Sequence, residues 1–130
     1  MLEKEKIMGK FNSFEEILSW QKARALNAEI YKITKLNKSF NGDYSLKDQI
    51  RRASVSITSN IAEGFERQTT KEFIRFLYIA KASAGEVRSQ LYVAFDVDYI
   101  TKNEFEELKK KVNEVSKLIS GLLKYLQATL

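Results

Sequence analysis

The sequence predicts an all-α protein, an antiparallel up-down-up-down four-helix bundle, and three observations support this fold class. The 130 residues contain no proline and five glycines, so little in the chain interrupts long helices. Four apolar runs repeat at helical spacing. Before each run, a hydroxyl residue has an acid three positions after it, which is typical of a capped helix start. These pairs are Ser13 with Glu16, Ser45 with Asp48, Thr69 with Glu72, and Thr101 with Glu104.

The first two predicted helices are defined by their apolar positions and by the loop between them. The first covers residues 14–36 and stops before a loop that contains Asn41-Gly42. Its apolar positions are Ile17, Trp20, Ala23, Ile30 and Ile33. The second covers residues 46–66, and its apolar positions are Ile50, Ala53, Ile57, Ile61 and Phe65.

The last two predicted helices are longer. The third covers residues 70–97, with apolar positions Phe73, Leu77, Ala80, Ala84, Val87, Leu91 and Ala94. The fourth covers residues 102–128 and has the alternating three-four spacing of a heptad seam: Phe105, Leu108, Val112, Val115, Ile119, Leu122 and Leu126. Because the links are short, successive helices are expected to be antiparallel neighbours. We assign residues 13–130 to the bundle and residues 1–12 to a flexible N-terminal tail.

Two predicted helices carry a second stripe beside the apolar one. On the second helix it runs through Arg52, Ser56, Ser59 or Asn60, Glu63 and Arg67, with Gly64 close by. On the third it runs through Phe76, Ile79, Ser83, Glu86, Gln90, Val93 and Val97. A four-helix bundle buries about one stripe per helix, so a second stripe indicates a further contact. Small residues such as these usually serve close packing between helices.

Antiparallel pairing of these two helices places residues whose numbers sum to about 138 at the same level. We therefore expect Arg51 or Arg52 to pair with Glu86 across the two helices, as part of a buried polar network. The same register separates Glu63 from Glu86 by about 16 Å, too far to share a metal ion within one subunit. The residues we assign to assembly or to this polar network are Arg52, Ser56, Asn60, Glu63, Gly64, Ser83, Glu86 and Gln90.

Composition narrows the possible chemistry. The chain contains neither cysteine nor histidine, which excludes disulfides, zinc–thiolate sites and imidazole-based catalysis. We predict no enzyme, no catalytic residue, no metal site and no cofactor, although a carboxylate site assembled between subunits stays open. The N-terminus lacks the apolar run of a signal peptide, and no segment has the length of a membrane span, so we expect a cytoplasmic protein.

The net charge of +5 is compatible with nucleic-acid binding without requiring it. Trp20 and the tyrosines are interpreted as core or rim aromatics rather than as platforms for base stacking.

Three segments carry a resemblance to a known family. They are FEEILSWQKARALNAEIY, YSLKDQIRRASVSITSNIAEGFER and EFIRFLYIAKASAGEVRSQLYVA. Together they resemble the bacterial four-helix bundle family, also called the intervening-sequence protein family because some members are encoded within insertions in large-subunit ribosomal RNA genes. Its members resemble the accessory protein of diversity-generating retroelements, a ring-like pentamer with a basic surface. The resemblance implies a homo-oligomer of five subunits with a nucleic-acid role, and it implies no catalytic residue.

One departure from the family pattern concerns the turn before the last helix. Members commonly have Gly-Tyr-Ile or Gly-Tyr-Leu there, whereas this chain has Asp98-Tyr99-Ile100. The glycine that would cap the third helix is therefore missing.

We carry two hypotheses of different classes. The first is a ring-forming module that binds RNA or DNA phosphates through Arg51, Arg52, Arg67, Lys71, Arg75 and Arg88. The second is a structural oligomer or adaptor that binds another protein and no nucleic acid.

Overall fold

Four long helices and one short helix form the protein in a computed structural model that describes residues 10–130. The long helices are α1 (Leu18–Leu36), α3 (Tyr44–Glu66), α4 (Thr70–Asp96) and α5 (Lys102–Gln127). The short helix α2 (Lys38–Gly42) lies between α1 and α3, and a 3₁₀ turn (Phe14–Glu16) precedes α1. The predicted all-α bundle is confirmed.

The long helices pack around a square, in which each contacts its two neighbours in the order α1, α3, α4, α5. In each pair, the numbers of the contacting residues rise along one helix as they fall along the other, as in the contacts of Ser56 with Ser83 and of Gly64 with Phe73, so each pair is antiparallel. Their apolar stripes meet in one continuous core, in which Ile30, Ile57 and Leu91 are fully buried. Among residues 10–130, none of the helices combines the length and apolarity needed to cross a bilayer.

The start of α1 differs from the prediction. Ser13 makes no side-chain capping bond, and the chain forms the 3₁₀ turn before α1 begins at Leu18. Ile17 between them is extended and 2% exposed. Burial of Ile17 against the core fixes the direction in which the chain enters the helix, so packing decides this boundary. Of the predicted tail 1–12, residues 1–9 lie outside the described residues, and Phe11 packs against the core.

The predicted loop after α1 contains the unpredicted helix α2. The Asn37 side chain caps α2 by accepting the backbone N–H of Phe40 at 2.8 Å. Phe40 is completely buried, so this short helix supplies a core residue. Asp43 then caps α3 by accepting the backbone N–H of Leu46 at 3.0 Å. The expected cap at Ser45 is wrong, because Asp43 is an equally good acceptor and stands two residues earlier.

The two later helix starts follow the prediction. Thr69 accepts the backbone N–H of Glu72 at 3.1 Å. Thr101 and Glu104 form a complete capping box, in which each side chain accepts the other residue's backbone N–H. A hydroxyl with an acid three residues later therefore marks the helix start best where no competing cap precedes it.

The turn after α4 needs a left-handed residue, and Asp98 supplies it with φ of 62°. The N–H of Tyr99 donates to the carbonyl of Ala94 at 2.8 Å, and the N–H of Asp98 donates to Phe95 at 3.0 Å. These two bonds are those of a Schellman cap. The missing glycine therefore leaves the turn geometry intact, since aspartate tolerates the left-handed conformation better than most residues do.

Candidate functional surfaces

The seam between α3 and α4 contains most of the small and polar residues of the two second stripes. The Ser56 and Ser83 hydroxyls are hydrogen-bonded at 2.9 Å, and the Asn60 amide donates to the Ser56 hydroxyl at 2.9 Å. The sum of 139 for the serine pair agrees with the predicted register. A polar network does exist in this seam, and it consists of hydroxyls and an amide.

Gly64 belongs to the same seam. A Cβ added there would lie 2.7 Å from the Phe76 Cβ and 2.9 Å from the Phe73 Cδ1. Side-chain carbons are not found that close, so the glycine is what lets α3 and α4 approach at this level. Its role in the structure is contact within one chain.

The arginines do not join this network, and the expected pairing of Arg51 or Arg52 with Glu86 is wrong. Arg52 bonds Asp48 of its own helix at 2.9 Å. Arg51 turns to α1, where its Nε donates to the Thr34 hydroxyl at 2.8 Å. The Arg52 side chain is 80% exposed and points away from α4. Asp48, one turn earlier on the same helix, is the acid within its reach.

The outer edge of α4 remains apolar after the seam is formed. Ile79, Val93 and Val97 are 39%, 46% and 49% exposed, and the exposed Glu86 lies between them. We call these four residues the α4 outer edge. Gln90, within the same stripe, is 8% exposed, and its side-chain oxygen has no hydrogen-bond partner among the described residues.

The six predicted cationic residues do not form one surface. Three lie where α3 meets α4, and two of these pack against the Phe76 ring. The Arg67 and Arg75 guanidinium groups are 4.7 and 4.6 Å from the centre of that ring. Each of these arginines also pairs with an acid, Glu63 and Glu72 respectively. Lys71, one turn before Arg75, is exposed and makes no ion pair with the described residues.

The other three candidates lie elsewhere. Arg51 and Arg52 are near the opposite end of α3, and the fifteen residues from Arg52 to Arg67 correspond to about 22 Å. Arg51 is also occupied, because its guanidinium packs 4.3 Å from the centre of the Tyr31 ring. Arg88 faces α5 and donates to the Asn113 side-chain oxygen at 3.0 Å.

Arg88 belongs to a groove that sequence reasoning missed. The groove between α4 and α5, which we call the α4–α5 groove, is lined by Lys81, Arg88, Asn113, Ser116, Lys117 and Ser120. No carboxylate lines it, and neither lysine makes an ion pair within the described part of the chain. Three positive charges beside two hydroxyls and an amide form a surface suited to anions.

The groove was not visible in the sequence because its two sides lie on different helices. Lys81 and Arg88 are seven residues apart, so they share a face of α4. Asn113, Lys117 and Ser120 share a face of α5 in the same way. Only the pairing of α4 with α5 brings the two sets together. Two cations at heptad spacing beside the apolar stripe were the available signal.

The groove between α1 and α5 has a different charge pattern. Glu29, Glu104 and Glu107 line it together with Lys32. Lys111 donates to Glu29 at 2.5 Å, and this hydrogen bond raises the pKa of the lysine. Positive charge on this side is therefore compensated, in contrast to the α4–α5 groove. Within residues 10–130, no three acids cluster in a way that could hold a metal ion.

Comparison with known proteins places this geometry in a family. No curated protein matches the chain. Among solved structures, a protein of unknown function from the S23 ribosomal protein family of Bacteroides thetaiotaomicron is 26% identical, with a TM-score of 0.77. That match covers 82% of this chain and 99% of the other. The model of the 23S rRNA-intervening sequence protein family matches residues 15–121, which include the α3–α4 seam and the α4–α5 groove. The chain therefore belongs to the 23S rRNA-intervening sequence protein family.

Proposed function

We propose that the protein is a non-enzymatic, homo-oligomeric bundle that binds RNA or DNA through a basic surface. The observation that carries the binding proposal is the α4–α5 groove, where Lys81, Arg88 and Lys117 meet without a carboxylate. Phosphate contacts of this kind supply affinity without sequence selection, and they weaken steeply with salt because bound counterions are released. Lys71 and Arg75 provide a second, partly compensated basic surface at the α3–α4 turn.

A charge-matched comparison tests the binding proposal. One variant carries Lys81→Gln, Arg88→Gln and Lys117→Gln, and the control carries Lys32→Gln, Lys35→Gln and Lys38→Gln at exposed positions elsewhere. Both lose three positive charges. Binding to structured RNA and duplex DNA is measured from about 50 to 200 mM salt.

We expect the groove variant to lose affinity at low salt and to reduce the slope of log K against log salt by up to about 3, roughly one for each phosphate contact. The control should retain most of the slope. Absence of binding by the unmodified protein at low salt would remove the proposal.

The assembly part of the proposal rests on the α4 outer edge. Ile79, Val93 and Val97 leave an apolar strip in water. A second copy of the chain would cover this strip and remove its apolar surface from water. The family resemblance implies a ring of five subunits.

Light scattering tests the assembly. We expect an oligomer at micromolar concentration and a lower mass for Val93→Lys. Val55→Lys is the control, because Val55 is similarly exposed but lies next to Ser54 and Thr58, on the α1 side of α3. A monomeric parent protein would contradict the assembly proposal.

The alternative function is a structural oligomer or adaptor for another protein. The α4 outer edge favours it as well, because an apolar strip can accept a different partner. An oligomer that binds no nucleic acid at low salt would leave this alternative standing.

A further inference from the structure

We propose that the α4–α5 groove binds single-stranded nucleic acid, with phosphates against Lys81, Arg88 and Lys117 and bases stacked on Tyr78 and Tyr92. This inference rests on the proposed function and adds to it the strand state of the ligand. The family match leaves open both the strand state and the residues that would recognise it.

The face of α4 that borders the groove has two cationic residues flanked by two aromatic ones. In order it carries Tyr78, Lys81, Gly85, Arg88 and Tyr92, at the three-four spacing that keeps side chains on one face. The two tyrosines are fourteen positions apart, which corresponds to about 21 Å along the helix. Lys81 and Arg88 therefore lie between two aromatic residues along a single line on α4.

The sequence alone favoured core or rim aromatics over stacking platforms, but the structure leaves both rings exposed enough to stack and holds each against a neighbour. Tyr78 is 50% exposed, and its hydroxyl accepts a hydrogen bond from the Gln127 amide at 2.9 Å. Tyr92 is 44% exposed and packs edge-on against Phe105, with ring centres 4.9 Å apart. Rings fixed in this way lose little conformational freedom when a base stacks on them.

The centre of the line is open. A Cβ added at Gly85 would meet nothing within 4 Å, so this glycine is not required by packing. It leaves a gap between Lys81 and Arg88 through which a backbone could approach.

Lys109 extends the positive surface beyond Arg88. Its ammonium group lies 5.4 Å from the centre of the Tyr92 ring. The aromatic end of the line is therefore also a place where a phosphate would be attracted.

Aromatic platforms distinguish a single strand from a duplex. The bases of a single strand can splay out and stack on protein rings, whereas those of a duplex are paired and stacked inside the helix. Cations alone would hold either form through phosphates. The combination of two exposed rings with three cations therefore favours the single strand.

The test compares the binding of variants that lose the aromatic ring of Tyr78 or Tyr92 with that of variants that keep it. Fluorescence anisotropy measures binding to labelled oligo(U) and oligo(dT) of about 20 nucleotides and to duplex RNA and DNA of the same length. The variants are Tyr78→Leu, Tyr92→Leu and the corresponding phenylalanine substitutions. Tyr44→Leu is the control, because Tyr44 is 75% exposed at the start of α3, away from the groove.

We expect single strands to bind more tightly than duplexes. Each leucine variant should weaken single-strand binding about fivefold or more, while the phenylalanine variants and Tyr44→Leu stay within about twofold of the parent. The RNA and DNA oligomers separate the two sources of a single strand.

A second pair of variants tests the positive charge along this face of α4 and leaves both tyrosines in place. Gly85→Glu places a carboxylate between the two cations, and Gly85→Gln is its neutral counterpart of nearly equal size. We expect Gly85→Glu to bind single strands at least about fivefold more weakly than Gly85→Gln, because the carboxylate repels phosphate.

The experiments distinguish failure of the single-strand inference from failure of the proposed function. Leucine variants that bind single strands as the parent does, or a parent that prefers duplexes, would overturn the inference and leave charge-driven binding intact. If the parent binds no oligomer at low salt, the inference and the proposed function both fail.

Discussion

Gly64 and Gly121 are both helical glycines, but only Gly64 has a neighbouring helix against its Cα. A Cβ at Gly64 would overlap Phe73 and Phe76, whereas one at Gly121 would meet nothing within 4 Å. We expect Gly64→Ala to lower the free energy of unfolding by about 1–3 kcal/mol, the usual cost of overpacking. Gly121→Ala should raise it by roughly 0.5–1 kcal/mol, because alanine favours the helix.

Urea denaturation at one fixed protein concentration measures both changes. Equal effects of the two alanines would contradict the close approach of α3 and α4 at Gly64.

Asp98 is the described non-glycine residue with a positive φ, and its conformation carries strain. Because glycine adopts the left-handed region freely, we expect Asp98→Gly to raise the free energy of unfolding by about 0.5–1 kcal/mol. Asp98→Ala should lower it slightly, since alanine gains no local hydrogen bond in that conformation. Thermal unfolding of the two variants beside the parent gives the comparison, and a destabilising Asp98→Gly would show that the aspartate side chain has another role in the turn.

At the scale of elements, the start of α3 is tied to the turn between α4 and α5. Asp43 caps α3, and its second carboxylate oxygen accepts the Tyr99 hydroxyl at 2.9 Å. The Leu46 N–H, and then the Tyr99 hydroxyl, lower the pKa of Asp43. The hydrogen bond between the Tyr99 hydroxyl and Asp43 also raises the pKa of Tyr99.

The shifted pKa of Asp43 determines how the stability of the protein changes with pH. Because the folded pKa of Asp43 lies below its unfolded value, its carboxylate contributes stability above pH about 4, and that contribution is lost as pH falls through the folded pKa. We expect Asp43→Asn, which keeps a capping oxygen, to make the acid-induced loss of stability shallower. Tyr99→Phe should also reduce the acid-induced loss of stability, but by less than Asp43→Asn does.

Denaturation midpoints between about pH 2 and 7 measure this dependence. Identical profiles for the parent and Asp43→Asn would contradict the role of the carboxylate.

The sequence predicted the elements whose signals are local. The Thr101–Glu104 capping box and the heptad seam of α5 depend on residues close in the chain, and both are present. The short helix α2 was missed because its stability comes from burial of Phe40 against distant residues. The start of α1 was misplaced for the same reason, since burial of Ile17 decides it.

The candidate site was predictable only in part, for a related reason. Arg88 could be named from the sequence, but Lys117 and Ser120 joined it only through the pairing of α4 with α5. The expected partner of Glu86 was wrong because register fixes the level of a residue on a helix, whereas the direction of its side chain decides which groups it reaches.

At the scale of the whole molecule, α4 carries three faces. One packs into the core, and the α4 outer edge and the α4–α5 groove lie on either side of it. Part of the second stripe, including Ser83 and Gln90, is buried within the bundle against α3, so only the α4 outer edge of that stripe stays exposed. In the proposed assembly, the outer edge is covered by another copy while the groove remains open to a ligand.

The proposed assembly predicts that the stability of the protein depends on its concentration. If the α4 outer edge is an interface, unfolding must also break the assembly, so Tm should rise by roughly 3–5 °C for a tenfold increase in concentration. Val93→Lys should remove that dependence, while its Tm at the lowest concentration stays near that of the parent, because Val93 is 46% exposed within one chain. Lys81→Gln in the groove should keep the dependence. A parent Tm that does not change with concentration would show that the outer edge has no partner copy.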